Sequence, residues 1–183
     1  EGGRNLSALI NNTLEIAKIQ SGSTELNITK VNLKELLNQA KIFWNKWAGA
    51  RSIKLGLEIS PDFPDEIDGD AEKIKQLLFS FLSNALKFTP DGGEVIVEAK
   101  RISGGEVKIA VLDNGSGIKK EEQEKLFSPF MRLDNTKPGA GLELFLSKRI
   151  VKLWNGNIGV VSPPEGKVKG SRFYFTLYAR GVE

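Results

Sequence analysis

The 183-residue chain is long enough for one domain with a sizeable core, or for one domain with a short appendage. Its composition is typical of a globular protein, and a net charge of +3 without a basic run gives no support to nucleic-acid binding. The absence of cysteine and histidine excludes disulfides, thiolate chemistry, imidazole bases and a self-contained phosphohistidine. No apolar run reaches membrane-spanning length, no signal peptide is visible, and the start at Glu1 without methionine is interpreted as a cut or processed end.

The first predicted element is a helix over residues 4–20, with Gly22 suited to a C-terminal cap. A helix this apolar at the start of a chain needs a partner, and two interpretations stay open. It docks on its own domain, or it is the end of a longer helical hairpin or dimer stem. Its apolar face consists of Leu6, Leu9, Ile10, Leu14, Ile16, Ala17 and Ile19.

Helices and strands alternate through the rest of the chain. Asn32 and Asp70 are candidate helix N-caps, with Glu35 at the capping-box position of the first, and Ser103-Gly-Gly105 suits a hairpin turn. We predict a two-layer α/β sandwich, in which a mixed, mostly antiparallel sheet of about five strands packs on about three helices beside an N-terminal helical stub. Strands are predicted over residues 25–31, 53–59, 95–102, 107–112, 157–162 and 172–178, and helices over 33–50, 71–88, 119–126 and 142–154.

The helix predicted over 71–88 combines an apolar stripe with a polar face. Asn84 and Lys87 place a neutral oxygen ligand and a cation on one side of it. Such a pair could hold a magnesium ion and a phosphate, because hard cations prefer oxygen ligands and lysine acts as a point charge. The ordinary alternative is a solvated helix face, formed by Lys73, Gln76, Ser80, Asn84 and Lys87.

An apolar strand ends at one acid, Asp113, and Gly115 and Gly117 follow. An acid at a buried strand end is costly to desolvate unless it meets a partner. Glycines spaced by one residue let the backbone approach a ligand closely. An ordinary strand-to-turn junction has the same pattern, so this segment alone leaves both interpretations open.

Two further segments complete a possible nucleotide pocket. The string Leu126-Phe-Ser-Pro-Phe-Met-Arg132 lies in a polar loop, where its aromatic residues could also simply anchor the loop to the core. The string Pro138-Gly-Ala-Gly-Leu142 precedes a helix, and backbone N–H groups at a helix start bind anions. Together with the Asn84/Lys87 face and the Asp113 turn, these segments could hold magnesium, adenine and a polyphosphate.

This order of motifs resembles the ATP-binding domain of sensor histidine kinases, within the class that includes gyrase, MutL and the large heat-shock chaperones. The resemblance covers nearly the whole chain. It implies the end of a second dimerisation helix at residues 1–22 and a catalytic ATP-binding domain at residues 23–183. The matching strings are Ser83-Asn-Ala-Leu-Lys-Phe-Thr89, Asp113-Asn-Gly-Ser-Gly117, Leu126-Phe-Ser-Pro-Phe-Met-Arg132, Gly139-Ala-Gly-Leu142 and Gly170-Ser-Arg-Phe173.

The resemblance also implies residue roles. Asp113 would accept a hydrogen bond from the adenine amine, Asn84 would ligate magnesium, and Lys87 would contact phosphate, which makes Asn84 and Lys87 the expected catalytic residues. Residues from about 127 to 138 would form a lid. The expected nucleotide-binding set is Asp113, Gly115, Gly117, Ile118, Phe127, Arg132, Gly139, Gly141 and Leu142.

The implied activity is phosphoryl transfer from Mg-ATP to a histidine on a helix that this chain lacks, so the chain alone could not phosphorylate itself. The resemblance implies a response regulator receiver domain as partner, homodimerisation through the dimerisation helices, no nucleic-acid partner, and a cytoplasmic location with or without a membrane anchor in the parent protein.

The chain departs from the family pattern at Ser80, Ala140 and Glu143, where a second Asn, a Thr or Ser, and a third Gly are usual. The segment between Arg132 and Gly139 is also short for a lid. These departures motivate an alternative function, a degenerate kinase domain that acts as a signalling scaffold with weak or no ATP binding. Another ATPase of the same fold class, such as a protein Ser/Thr kinase, is the third possibility.

Overall fold

The computed structural model describes residues 10, 13–19, 21–22, 25–102, 105–137 and 139–178. Over these residues the structure has seven strands and four helices that follow the N-terminal helix, of which residues 13–19 are described. The helices are α1 (Leu33–Gly49), α2 (Ala71–Phe88), α3 (Lys120–Gln123) and α4 (Glu143–Leu153). The strands are β1 (Thr29–Asn32), β2 (Lys54–Ile59), β3 (Glu66–Gly69), β4 (Glu94–Arg101), β5 (Glu106–Asp113), β6 (Ile158–Val161) and β7 (Ser171–Tyr178).

The main sheet has five strands in the order β2-β4-β5-β7-β6. Strands β2 and β4 are parallel, and the other neighbours are antiparallel. Strands β1 and β3 form a separate antiparallel pair. The predicted mixed, mostly antiparallel five-stranded sheet is therefore confirmed.

One face of the main sheet packs on the helices and the other carries polar side chains. Alternate residues of the central strands are buried, as expected for a half-covered sheet: Val95, Val97, Val107, Ile109, Val111, Phe173, Phe175 and Leu177. On the opposite face, Glu98 of β4 pairs with Arg172 of β7, and the Lys108 ammonium lies 3.9 Å from the Tyr174 ring centre. This arrangement confirms the two-layer α/β sandwich.

Helix α2 lies at the centre of the helical layer, in contact with α1, α4 and β5. Asp70 caps it by accepting the Lys73 N–H at 3.1 Å. Its apolar stripe is fully buried, and the Phe81 ring lies 5.7 Å from each of the Phe173 and Phe175 rings. The stripe consists of Ile74, Leu77, Leu78, Phe81, Leu82 and Ala85.

The structure differs from the predicted elements at three places. The helix predicted over 119–126 is shorter and covers only Lys120–Gln123. The strand predicted over 25–31 begins at Thr29, because the Asn27 N–H is bound by the Asp70 carboxylate at 3.0 Å instead of a strand partner. Strand β3 was not predicted, since it has four residues, of which only Ile67 is a buried large apolar side chain. Such a segment gains its strand conformation from pairing with β1 rather than from its own pattern.

The described part of the N-terminal helix, residues 13–19, docks on α2. Glu15 pairs with Lys73 and accepts the Gln76 amide at 2.8 Å, and Ile16 and Ile19 pack on the core. The opposite side of the helix remains uncovered, with Leu14 56% exposed. One side therefore fits docking on the domain, and the other leaves room for a further partner.

Some sequence-based predictions fall on residues that the structure does not describe. Leu6 and Leu9 of the predicted helix, Ser103 and Gly104 of the predicted hairpin turn, and Pro138 lie outside the described residues. Gly22 is described, and the predicted cap is confirmed by its φ of +69° and by its N–H, which donates to the Ile19 carbonyl at 3.2 Å. Within the described ranges, no helix is both long and apolar enough to cross a membrane.

Candidate functional site

A cavity of about 540 Å³ opens between α2, the C-terminal end of β5, the 131–134 segment and the start of α4. Its volume lies in the range of small-molecule sites. The cavity brings together most of the predicted site residues: Asn84, Lys87, Asp113, Gly117, Ile118, Arg132, Gly139 and Gly141.

Asp113 forms the deep end of this cavity. It is the last residue of β5 and only 9% exposed. Burial raises the pKa of its carboxyl group, and hydrogen bonds from the backbone N–H groups of Gly115 and Ser171 oppose that shift. The Gly115 bond to Oδ1 is 2.9 Å long. Asp113 is therefore a buried acceptor that is held in place by backbone donors.

Next to Asp113, the turn contributes backbone and one apolar side chain. Gly117 has a φ of +78° and lines the cavity together with Ile118. The Ser162 hydroxyl accepts the Ile118 N–H at 2.8 Å and fixes the turn on the neighbouring strand connection. The backbone and the Ile118 side chain thus form an apolar wall beside a polar acceptor.

Three predicted site residues do not line the cavity. A Cβ at Gly115 would stand 2.6 Å from the Phe88 carbonyl oxygen, so this glycine is required by packing against the end of α2. Phe127 is buried in the core. Leu142 is buried as well, and it serves as the residue before α4.

The polar face of α2 supplies the other end of the cavity. Ser80, Asn84 and Lys87 all line it, at a spacing that places them on one side of the helix. The Ser80 hydroxyl oxygen is buried and has no hydrogen-bond partner among the described residues. A buried polar atom without a partner is unusual, and here it lies one turn from Asn84. The N-terminal half of the same face is covered by Glu15.

Lys87 is half-buried and surrounded by charged groups. Burial lowers the pKa of its ammonium, the nearby Glu143 carboxylate raises it, and Arg132 lowers it further. Lys87 Nζ lies 3.4 Å from the position that a Cβ would take at Gly139. The cation is thus brought against the glycine segment that precedes α4.

The Arg132 side chain stabilises the backbone of the segment that follows it. Arg132 Nη2 donates to the carbonyl oxygens of Asn135, at 3.0 Å, and Lys137. Gly141 has a φ of +72°, and a Cβ there would stand 2.8 Å from the Met131 carbonyl oxygen. The backbone at position 141 can therefore approach the Met131 carbonyl this closely only because residue 141 is a glycine.

Sequence reasoning missed several residues that line the cavity, among them Trp44, Trp47 and Arg51. These three belong to α1 and the turn after it, and no motif marks them. Arg51 donates to the Thr89 carbonyl at 2.8 Å and pairs with Asp91 at 2.7 Å, so it binds the end of α2. The two tryptophans read as ordinary members of an amphipathic helix, and only the tertiary contact between α1 and α2 brings them to the cavity.

Comparison with known proteins identifies the family. Residues 69–181 match the model of the histidine kinase-, DNA gyrase B- and HSP90-like ATPases. The chain is 37% identical over 172 residues to the alginate biosynthesis sensor protein KinB of Pseudomonas aeruginosa, covering 94% of this chain and 28% of KinB. It is 32% identical over 176 residues to the adaptive-response sensory kinase SasA of Crocosphaera subtropica, covering 95% of this chain and 45% of SasA.

Solved structures agree with this assignment. Full-length ShkA, in complex with AMPPNP, superposes with a TM-score of 0.87 at 30% identity, over 98% of this chain and 37% of ShkA. The catalytic domain of histidine kinase ThkA gives a TM-score of 0.73 at 26% identity, over 84% of this chain and 96% of that domain.

These comparisons do not support the alternative of a degenerate domain. They support ATP binding as the function of the domain. The chain belongs to the family of histidine kinase-, DNA gyrase B- and HSP90-like ATPases, and within it to the ATP-binding domains of sensor histidine kinases.

Proposed function

We propose that this chain binds Mg-ATP in the described cavity and positions the terminal phosphoryl group for transfer to a histidine on another segment of the parent kinase. The observation that carries the proposal is the union, in one cavity, of a buried acceptor at Asp113 with the Asn84 and Lys87 side chains. An acceptor of this kind fits the exocyclic amine of adenine. An amide and an ammonium fit a metal-bound polyphosphate.

At the adenine end, Asp113 accepts the amine N–H in our proposal, and its orientation is set by the Gly115 N–H. The backbone of Gly117 and the Ile118 side chain pack against the base. Because Asp113 is buried, a hydrogen bond to its charged carboxylate is stronger there than at the surface. The residues of this end therefore determine which nucleotide is recognised.

At the phosphate end, Asn84 holds the magnesium ion and Lys87 binds a phosphate oxygen. The described residues contain no group of three or more His, Cys, Asp or Glu side chains suited to a metal ion. Magnesium would therefore take most of its ligands from phosphate and water, as is usual for this ion. The unpartnered Ser80 hydroxyl, one helical turn away, is a further polar group that suits this hydrated site. When bound, the ion neutralises charge on the phosphates.

The parent protein is expected to supply what this chain lacks. The chain contains no histidine, so the phosphoacceptor lies elsewhere. We propose residues 1–22 as the end of a dimerisation helix, residues 23–183 as the catalytic domain, and a homodimer formed through such helices. Relatives of this chain include sensor kinases, and the histidine kinase ThkA forms a complex with the response regulator protein TrrA. We therefore propose a receiver domain as downstream partner and a cytoplasmic location for this chain.

The test is a calorimetric titration of this chain with ATP, in the presence and absence of magnesium. Magnesium-dependent binding is expected for the wild type, and Asn84→Ala removes the magnesium dependence. Asn38→Ala is the matched control, because Asn38 is exposed on α1 and bonds to the Lys34 carbonyl. Absence of binding at millimolar ATP, or equal effects of the two alanine variants, would contradict the proposal.

A further inference from the structure

The first residue of α4, Glu143, places a carboxylate inside the cavity. The side chain is half-buried and lines the cavity wall. Its Oε2 accepts the backbone N–H of the preceding residue, Leu142, at 3.1 Å. The carboxylate therefore folds back over the N-terminal end of its own helix instead of extending into solvent.

The same carboxylate faces the cation of the site. Glu143 Oε1 lies 3.9 Å from the position that a Cβ would take at Gly139, and Lys87 Nζ lies 3.4 Å from that position. The two charged groups thus flank the Gly139 backbone. Burial lowers the pKa of Lys87, and the nearby Glu143 charge opposes part of that shift. Arg132 and Lys137 add positive charge nearby, and Asp134 adds negative charge.

A helix N-terminal N–H and a half-buried ammonium are the groups that bind an anion. In this structure the N–H binds a carboxylate of the chain itself, and the ammonium lies near the same carboxylate at Gly139. We propose that the Glu143 carboxylate is a built-in anion that occupies the phosphate end of the cavity in the nucleotide-free protein, and that the phosphates of a nucleotide must displace it to bind. The inference rests on the proposed nucleotide site and adds to it a residue that weakens affinity according to phosphate number.

The effect of Glu143 on affinity should depend on whether the ligand carries phosphates. A nucleoside without phosphates fills only the Asp113 end and leaves Glu143 in place, so its affinity does not depend on this residue. A diphosphate or triphosphate must share the Lys87 end with the carboxylate. Two like charges about 6 Å apart at an effective dielectric of about 20 change an equilibrium about a hundredfold, and salt screening reduces this to about tenfold.

If Glu143 has a purely structural role, nucleotide affinity should not increase when its charge is removed. An acid in the first turn stabilises its helix through the macrodipole and through the bond to the Leu142 N–H. If that were its function, loss of the charge would lower the melting temperature and would not tighten nucleotide binding. The two roles are therefore separated by the sign of the change in affinity.

The experiment compares dissociation constants for adenosine, ADP and ATP, measured by calorimetry with magnesium on the wild type, Glu143→Gln and Glu143→Ala. Glutamine keeps an oxygen that can accept the Leu142 N–H, so the helix start is preserved. Glu72→Gln is the matched control, because Glu72 is an exposed acid in the first turn of α2. We expect Glu143→Gln to bind ADP and ATP about tenfold to a hundredfold more tightly, with adenosine unchanged and the control variant equal to the wild type.

Unchanged or weaker binding of ADP and ATP by both Glu143 variants, with adenosine still bound, overturns this inference and leaves the proposed function standing. An equal gain for adenosine also overturns it, since the effect would not depend on phosphate. If neither the wild type nor the variants bind any of the three ligands, the proposed function fails and the inference fails with it.

Discussion

Replacing Asp113 by asparagine should stabilise the free protein and weaken its binding of ATP. The two effects have one cause, the burial of a charged carboxylate that is 9% exposed. Because burial raises the pKa of Asp113 in the folded state, the folded protein binds more protons than the unfolded chain from about pH 3.8 up to that raised pKa. Stability therefore falls as the pH rises through this window, and above it the full cost of the buried charge is present.

Asparagine removes that cost and keeps an oxygen for the Gly115 N–H, which lies 2.9 Å from Oδ1. In the bound state the variant loses a hydrogen bond from the adenine amine to a charged acceptor, which contributes about 1.5–3 kcal/mol. The dissociation constant for ATP should therefore rise about tenfold to more than a hundredfold. If the amide group turns its N–H₂ toward the amine, two donors face each other and the loss lies at the upper end.

Thermal melts at pH 7 without ligand and calorimetric titrations with Mg-ATP measure both quantities on one preparation. Asp68→Asn is the matched control, because Asp68 lies on β3 and pairs with Lys30 at 2.8 Å away from the cavity. It should leave the ATP affinity unchanged. A lower melting temperature for Asp113→Asn, or an unaltered ATP affinity, would refute the reasoning from burial.

The pH dependence of binding, the core and the glycine segment give three further predictions. ATP should bind while Lys87 is protonated, and its affinity should fall as the pH rises through the lowered pKa of Lys87, which lies under the ordinary lysine value of 10.5. The ATP affinity of Lys87→Arg, measured by calorimetry, should not change across this pH range. Phe81→Ala should lower the free energy of unfolding in urea by about 3–5 kcal/mol, and a loss below about 1 kcal/mol would contradict its central packing. Gly141→Ala should lower the melting temperature and the ATP affinity more than Gly166→Ala, because both have positive φ but only position 141 meets a backbone oxygen, at 2.8 Å.

The fold was predictable where a segment carries its own pattern. The stripe of α2 repeats at helical spacing, and Asp70 stands where an N-cap is required, so its bounds follow from the sequence. Strand β3 carries no such pattern. Its conformation depends on pairing with β1, a partner distant in the chain, and this dependence is why local reasoning assigned it to a loop.

The candidate site divides in the same way. Asp113, Asn84 and Lys87 stand in distinctive strings, and the cavity brings them together. Gly115 has a distinctive position too, but its reason is the approach of the Phe88 carbonyl, which no local pattern reveals. The hydrogen bond from Leu142 N–H to Glu143 is a matter of side-chain direction. The sequence predicts that such a charge lies near the site, but it does not predict which atom the charge contacts.

The N-terminal helix contacts one end of helix α2, and the other end of α2 lines the cavity. Glu15 forms an ion pair with Lys73 and accepts a hydrogen bond from the Gln76 amide. Asn84 lies eleven positions beyond Lys73 on the same side of the helix, about 16 Å along its axis. The helix is continuous between these two residues. A tilt of the N-terminal helix that carried Lys73 with it would therefore also move the Asn84 amide, because both residues belong to one continuous helix. The contact with the N-terminal helix and one wall of the cavity thus share a single structural element.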